Sequence, residues 1–272
     1  MKLNGKVAVV AGTSANIGGG IAEGLAAEGA ALVCSDVLPE NASDCARYIE
    51  RQGGRAIPAT RDVTDEEQVK AVIARTRQTY GGIDILVNAA AIFNQKGVLD
   101  MPLEEWERQI KIILTGTFLF TKHAARSMIE DRRRGSIINI ISSAGHQGQP
   151  GNVAYCTSKC GLLNFTRSVA MELVGHGIRV NSLTPTATDP SEGIDRAIRW
   201  GRPVPQAERI KQMFEPFRKR APMQKLPSPR DYARAAAFLA SEDAEMITGM
   251  DLRVDAGTVA RYWAWDPAEA GR

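Results

Sequence analysis

At 272 residues and 44% apolar content, the chain is long enough to bury one large core and ordinary in length for a single α/β domain. Its net charge of +3, with acids and bases interspersed, calls for no polyanion partner, so nucleic-acid binding is not expected. No apolar run reaches a membrane span, no signal-peptide pattern opens the chain, and Cys34, Cys45, Cys156 and Cys160 lack metal-ligand spacing with histidines, so a reduced, cytoplasmic, metal-free protein is expected.

The apolar run 7–11 reads as a buried strand. A turn follows with Gly12, Ser14, Asn16, Ile17 and Gly18, and Ile17, Ile21 and Leu25 then recur at helical spacing until Gly29. Strand, glycine turn and helix in that order make a phosphate cradle: small residues let the backbone approach an anion that the helix N-terminus attracts. Glycines alone are a weak signal; their position between strand and helix strengthens it. The second strand, 31–35, ends at Asp36. A carboxylate there can accept both hydroxyls of an adenosine ribose and repels a 2′-phosphate. No arginine or lysine stands at 13–17 or 37–38 to hold such a phosphate, so the residues favour NAD over NADP. The competing reading makes Asp36 a turn residue capping the helix near Asn41.

A helix is expected from about 41 to 52, then an extended piece at 56–59 leading to Asp62 and Val63, then a helix opened by Thr64 and Asp65. The fourth strand, 83–87, ends at Asn88, Ala89, Ala90 and Ala91, small enough for a cofactor ring to lie against the backbone. A long helix from Leu103 to about 129 carries Trp106, Ile110, Ile113, Leu114, Thr117 and Phe118 on one side, a stripe suited to burial against the sheet or a second subunit. Arg132, Arg133 and Arg134 follow it and read as complements to a helix C-terminus. The fifth strand spans 136–141, a helix 152–174 has Leu162, Phe165, Val169 and Leu173 as its apolar stripe, and a sixth strand spans 178–183. Strands alternating with helices predict a parallel sheet covered on both faces, with ligands at the carboxyl ends of strands. Gly12, Asp36, Asn88 and Ser142 all fall at such ends.

Tyr155 and Lys159 stand four apart on the helix 152–174 and share a face. A free phenol, with a pKa near ~10, is a poor base at neutrality, and bringing it there takes roughly 4 kcal/mol in favour of the phenolate. One ammonium about 4–5 Å away supplies roughly 3–4 kcal/mol at an effective dielectric of about 20. A cationic cofactor ring could supply the remainder. Ser142, ending an apolar run, can donate to a substrate oxygen beside the phenol, which completes equipment for moving a proton on or off a secondary alcohol. A tyrosine four residues before a lysine is common on solvated helices, and only the nucleotide pattern elsewhere gives this one weight. Cys156 and Cys160, one position on from Tyr155 and Lys159, read as small buried residues.

With these motifs together the chain resembles the short-chain dehydrogenase/reductase family, from Lys6 to Gly257. The resemblance rests on Gly12 to Gly18, Asp36, Asp62 and Val63, Asn88 to Ala90, the set Ser142, Tyr155 and Lys159, Asn181 to Pro185, and the run from Thr248 to Gly257. It implies one Rossmann-type domain over 1–272, a doubly wound parallel α/β sheet of about seven strands, and a homotetramer built on the long helices. It implies hydride transfer between nicotinamide and an alcohol or ketone, with Tyr155 as acid/base, Lys159 holding the nicotinamide ribose and lowering the phenol pKa, and Ser142 orienting the substrate. Cofactor contacts are expected from Gly12, Ser14, Asn16, Ile17, Gly18, Asp36, Asp62, Val63, Asn88, Ala90, Pro185, Thr186 and Thr188. Asp62 and Val63 would flank the adenine and Asn88 would tie neighbouring strands.

Four departures from the family pattern stand out. Asn16 replaces the middle glycine, and asparagine tolerates a left-handed backbone better than other residues. Ala91 and Thr186 replace glycines, the latter beside the expected nicotinamide amide. Ile113 stands where many members have an asparagine that holds a proton-relay water; either backbone groups or Thr117 one turn on would then serve, or catalysis is slow.

Residues 186–222 lack strand character and are expected to form a lid or specificity insertion, with aromatics packing it onto the body and Arg196, Arg199 and Arg202 on a solvated face. The loops at 93–96 and 145–149 should line the pocket, and His146, Gln147 and Gln149 suit a hydroxylated or acidic substrate, with His146 read as an exposed loop residue. The aromatic tail 258–272 is expected to dock on a neighbouring subunit. The leading expectation is an NAD-dependent oxidoreductase. The alternatives are a non-catalytic NAD(H)-binding protein, which Ile113 alone supports, and an enzyme for a lipid-like hydroxysteroid or acyl thioester; the acyl-thioester case predicts an NADP preference that Asp36 opposes.

Overall fold

The computed structural model describes residues 1–262 and 264–267. β1 (Val7–Ala11) is buried along its whole length because both faces of the sheet are covered. Ala8 and Val10 pack with Ile21 and Leu25 of α1 (Ile17–Ala27) and with Tyr232 and Ala236 of α9 (Pro229–Ala240). Val9 and Ala11 point the other way, to Val69 and Val72 of α3 (Glu66–Tyr80) and Phe120 and Ala124 of α5 (Gly116–Glu130). This alternation along one strand makes two apolar layers from one run; truncating the fully buried Phe120 to alanine would cost about 3–5 kcal/mol.

β2 (Ala31–Asp36), β3 (Arg55–Thr60), β4 (Ile85–Asn88), β5 (Ser136–Ile140), β6 (Arg179–Pro185) and β7 (Asp251–Val254) complete one parallel sheet in the order β3-β2-β1-β4-β5-β6-β7. The order reverses between β1 and β4, and in doubly wound sheets such a switch point is where ligands bind, beyond the carboxyl ends of the strands. The chain thus adopts the expected doubly wound fold. α9 had no place in the sequence reading, although its capping box (Ser228 with Asp231) and Pro229 at the first turn are signals for it. It packs so closely on α1 that a Cβ on Gly24 would lie 2.5 Å from that of Ala233.

The single long helix expected from Leu103 is α4 (Leu103–Ile110), a π turn (Lys111–Thr115) and α5. The extra residue in that turn shifts the apolar stripe: Ile113 and Thr117 are buried, whereas Phe118 is 46% exposed. Arg133 does complement a helix end, donating to the carbonyl of Gly81, the C-cap of α3. The insertion 186–222 is two helices, α7 (Pro190–Arg199), capped by Asp189, and α8 (Ala207–Arg220), which buries none of its residues. No helix among the described residues is long and apolar enough to cross a membrane.

Candidate active site

The cradle between β1 and α1 is built by close backbone approach. Gly12 has φ +96°, and a Cβ there would lie 2.6 Å from the Ala90 nitrogen beyond β4. A Cβ on Gly18 would lie 1.7 Å from the Gly12 carbonyl oxygen, so both positions admit only glycine. Ser14 accepts from the Gly19 amide at 2.9 Å and Asn16 from the Gly20 amide at 3.0 Å, while the partly buried Ile17 packs on the first apolar layer. Asn16 has φ −101°, so the turn asks for no left-handed residue there and the argument from asparagine's tolerance is unnecessary.

Asp36 closes β2 and is 8% exposed. Its Oδ1 accepts from the Leu38 amide at 3.0 Å and the Asn41 side-chain amide at 3.2 Å. The turn-capping reading therefore accounts for one carboxylate oxygen and leaves Oδ2 for a ligand. Asp62 accepts from the Thr64 amide at 2.8 Å, and Val63 is buried against the start of α5, where a Cβ on Gly116 would meet it at 2.7 Å. Asn88 ties β4 to β5 as expected, donating to Asn139 at 2.9 Å and also to Thr121 at 3.1 Å. Its Oδ1 is buried without a partner among the described residues, an unused acceptor at the carboxyl end of β4. A close-approach cradle, an available carboxylate and an orphaned amide oxygen fit a bound dinucleotide.

Ser142 follows β5, and its Oγ accepts from the Ala144 amide at 3.2 Å, capping a short turn over Ser143–Gly145 and leaving the hydroxyl hydrogen to donate. That turn lies against α6 (Val153–Leu173): a Cβ on Gly145 would stand 2.9 Å from the Lys159 carbonyl carbon. Tyr155 and Lys159 face the same side of α6, with the amine 5.7 Å from the phenol ring centroid. The Lys159 Nζ donates to the Ile140 carbonyl at 2.6 Å.

The electrostatics differ from expectation. Burial raises the Tyr155 phenol above its ordinary value, and the Ser142 hydroxyl pulls it back. Burial lowers the Lys159 amine to about 7, so in the chain alone it carries only part of a charge at neutrality. A charge-pair argument from helical spacing leaves out this burial, which leaves the amine 2% exposed.

Pro185 ends β6, and the Thr186 hydroxyl lies 3.3 Å from that of Ser143, beside Ser142. Thr188 turns inward, its hydroxyl donating to the Thr186 carbonyl and lying 3.2 Å from the Tyr232 hydroxyl. Ile113 is fully buried with Ile141 and Leu162 and holds no polar group toward the site. Phe93 covers Tyr155 with ring centroids 5.8 Å apart. The loop behind it is tied by Gln109 donating to Asn94 at 2.7 Å, with Asn94 and Lys96 both on Glu105. Gln109, one turn before Ile113 and 1% exposed, escaped the sequence reading.

Three expectations change. His146 is partly buried, 3.1 Å from the Thr184 hydroxyl and 3.2 Å from Asp251. Cys160 is exposed and Cys156 half-buried, because both lie off the face that carries Lys159. Arg196 is 2% exposed, paired with Glu23 and Glu192 and donating to the Ala15 carbonyl in the glycine turn. In the tail, Arg261 donates to the Arg220 and Trp265 carbonyls, and Gln224 to that of Pro267, while Trp263 lies outside the described residues. No metal-binding cluster occurs among the described residues.

A family model described as enoyl-(acyl carrier protein) reductase matches residues 11–259. The chain is 32% identical over 95% of its length, and all of the relative's, to the 3-oxoacyl-(acyl-carrier-protein) reductase of Thermotoga maritima. It is 37% identical to the cis-4-hydroxycyclohexanecarboxylate dehydrogenase of Sinomonas cyclohexanicum, covering 94% of this chain and 97% of that one. A crystal structure of a short-chain type dehydrogenase/reductase from Mycobacterium marinum superposes with a TM-score of 0.83 at 31% identity, covering 96% and 97% of the two chains. With the fold, the cradle and this likeness end to end, the chain belongs to the short-chain dehydrogenase/reductase family of nicotinamide-dependent oxidoreductases.

Proposed function

We propose that the chain interconverts a secondary alcohol and its ketone with NAD, on a small substrate bearing hydroxyls or a carboxylate. The observation that carries this is the convergence of Ser142, Tyr155 and Lys159 at the end of β5, beside the nucleotide crevice. Ser142 donates to the substrate oxygen and fixes it against the phenol. Tyr155 takes the hydroxyl proton as the C–H bond breaks in oxidation and returns it in reduction. Bound NAD would supply the hydride acceptor. Gly12, Ser14, Asn16, Ile17 and Gly18 would cradle its phosphates and Asp36 its adenosine ribose, with Asp62 and Val63 at the adenine. Asn88, Ala90, Pro185, Thr186, Thr188 and Lys159 would hold the nicotinamide end.

The substrate class is supported by a cleft of about 400 Å³ lined by Gln147, Thr186, Phe217, Arg220 and Arg261, among others, with no acidic residue among the described residues of its wall. Two guanidinium groups suit a carboxylate, in keeping with the relative named for a hydroxycyclohexanecarboxylate. A homotetramer is supported by exposed apolar residues on the long helices, Phe118 on α5 and Met171 on α6. The test is NADH formation from a panel of hydroxy acids, cyclic diols, sugars and hydroxysteroids, with Tyr155→Phe as control. Turnover abolished by that change supports an enzyme; turnover with no substrate, with NAD still bound, supports the non-catalytic reading. Reduction of a 3-oxoacyl thioester with NADPH would favour the second reading, suggested by the relative named as a 3-oxoacyl-(acyl-carrier-protein) reductase.

A further inference from the structure

Arg202 lies just past α7, in the insertion expected to serve the substrate, yet its side chain reaches the nucleotide side of the sheet. Its Nε donates to Asp44 at 2.8 Å and its Nη1 to the Asn41 side-chain oxygen at 2.7 Å. Asn41 in turn donates its amide to Asp36 Oδ1 at 3.2 Å. Asn41 is 7% exposed, Asp44 9% and Asp36 8%, so all three form part of one buried polar chain. The guanidinium also lies 5.2 Å from the ring of Trp200, itself buried against α1, where a Cβ on Gly19 would lie 2.9 Å from it.

The order of donors and acceptors is forced. A guanidinium only donates, so it holds the oxygen of the Asn41 amide; the nitrogen must then face Asp36, which only accepts. Reversing the amide would set oxygen against carboxylate and nitrogen against guanidinium. Both donors on Asp36, the Leu38 amide and Asn41, converge on Oδ1, and neither takes Oδ2. From these contacts we infer that Arg202 and Asn41 are positioning residues for nucleotide choice: the link between α7 and α8 fixes the Asn41 amide, and the amide fixes the carboxylate that discriminates a ribose diol from a 2′-phosphate. The inference rests on the assignment of Asp36 to NAD. It makes α7 and the link after it a strap on the nucleotide side as well as part of a wall for substrate, fastened also by Arg196 of α7 on the Ala15 carbonyl.

The experiment measures Kd for NAD and for NADP by calorimetry in the unmodified chain, in Arg202→Met, in Asn41→Ala and in the double variant. Asn41→Ala leaves the Arg202–Asp44 ion pair in place and so separates the relay from general loosening of the strap. The expected result is a fall of about tenfold in the NAD-over-NADP affinity ratio for either single variant, the scale of one hydrogen bond to a charged group, and no further fall in the double variant. Loss of stability alone would weaken both nucleotides together and leave the ratio unchanged. An NADP preference in the unmodified chain overturns the assignment of Asp36. An NAD preference that neither variant moves by more than about twofold, or two effects that simply multiply, overturns the relay and leaves that assignment standing.

Discussion

The amine of Lys159 donates to the carbonyl of Ile140 at 2.6 Å, so the last residue of β5 and the second turn of α6 are joined two residues before Ser142. The contact fixes the distance between the serine and the phenol by a bond inside the core. It also lodges an amine, 2% exposed, where its charged form is poorly solvated.

Stability should therefore depend on pH through Lys159. Its native value is lowered to about 7, while an unfolded lysine keeps a value near 10.5. Between these the unfolded chain binds more protons than the native one, so stability rises with pH across that window and the burial penalty is complete only below it. Urea unfolding of the unmodified chain and of Lys159→Met at pH 6.5 and pH 9.5 should show the unmodified chain gaining relative to the variant at the higher pH, by on the order of a few kcal/mol. Equal pH responses would mean that the amine is stabilised in its charged form by the native chain.

Gly145 predicts a separation of activity from binding. A Cβ there would meet the Lys159 carbonyl carbon at 2.9 Å and the Ile141 side chain at 3.0 Å, so Gly145→Ala must push the turn that carries Ser142 off α6. Displacement of about 1 Å at a reacting group costs on the order of a hundredfold in rate, whereas overpacking of this size costs about 1–3 kcal/mol in stability. kcat should fall by about a hundredfold with the Kd for NAD unchanged. Full activity in the variant would show that the turn accommodates the methyl without moving Ser142.

How much of this was legible beforehand differs by residue. The cradle was readable because Gly12 and Gly18 are dictated by backbone contacts that no side chain tolerates, and Tyr155 and Lys159 because helical spacing alone puts them together. Local periodicity could not locate the π turn, since one extra residue changes which of Phe118 and Thr117 is buried without altering composition. The arginines of the insertion were misread for a related reason. Arg196, Arg199 and Arg202 look like a solvated face until α7 is laid on α1, when Glu23 and Asp44, far away in sequence, become their partners. The lowered amine of Lys159 depends on burial, which a charge-pair argument from spacing does not contain.

Ile113 offers a test of whether the relay asparagine can simply be restored. The side chain is fully buried with Ile141 and Leu162, within a π turn closed by the Gly116 amide on the Lys111 carbonyl. Ile113→Asn would remove apolar burial worth about 2 kcal/mol and bury an amide at a cost of about 1–3 kcal/mol. Tm should drop by roughly 5–15 °C with no gain in kcat. A rise in kcat at unchanged Tm would mean that the site already has room and partners for the amide and its water.

The tail yields a prediction about substrate rather than nucleotide. Arg261 is anchored through Nη1 on the Arg220 carbonyl at 3.0 Å and through Nε on that of Trp265 at 3.0 Å, and it lines the cleft beside Gln147 and Thr186. Its backbone anchors hold the guanidinium at low entropic cost. Deleting residues 261–272 should raise KM for a carboxylate-bearing alcohol by about tenfold or more, the scale of one charge-assisted hydrogen bond, and change KM for a neutral diol far less. Light scattering on the same variant separates this from assembly. A loss of mass with equal KM changes for both substrates would place the tail's role between subunits, and unchanged mass and kinetics would remove the tail from the site altogether.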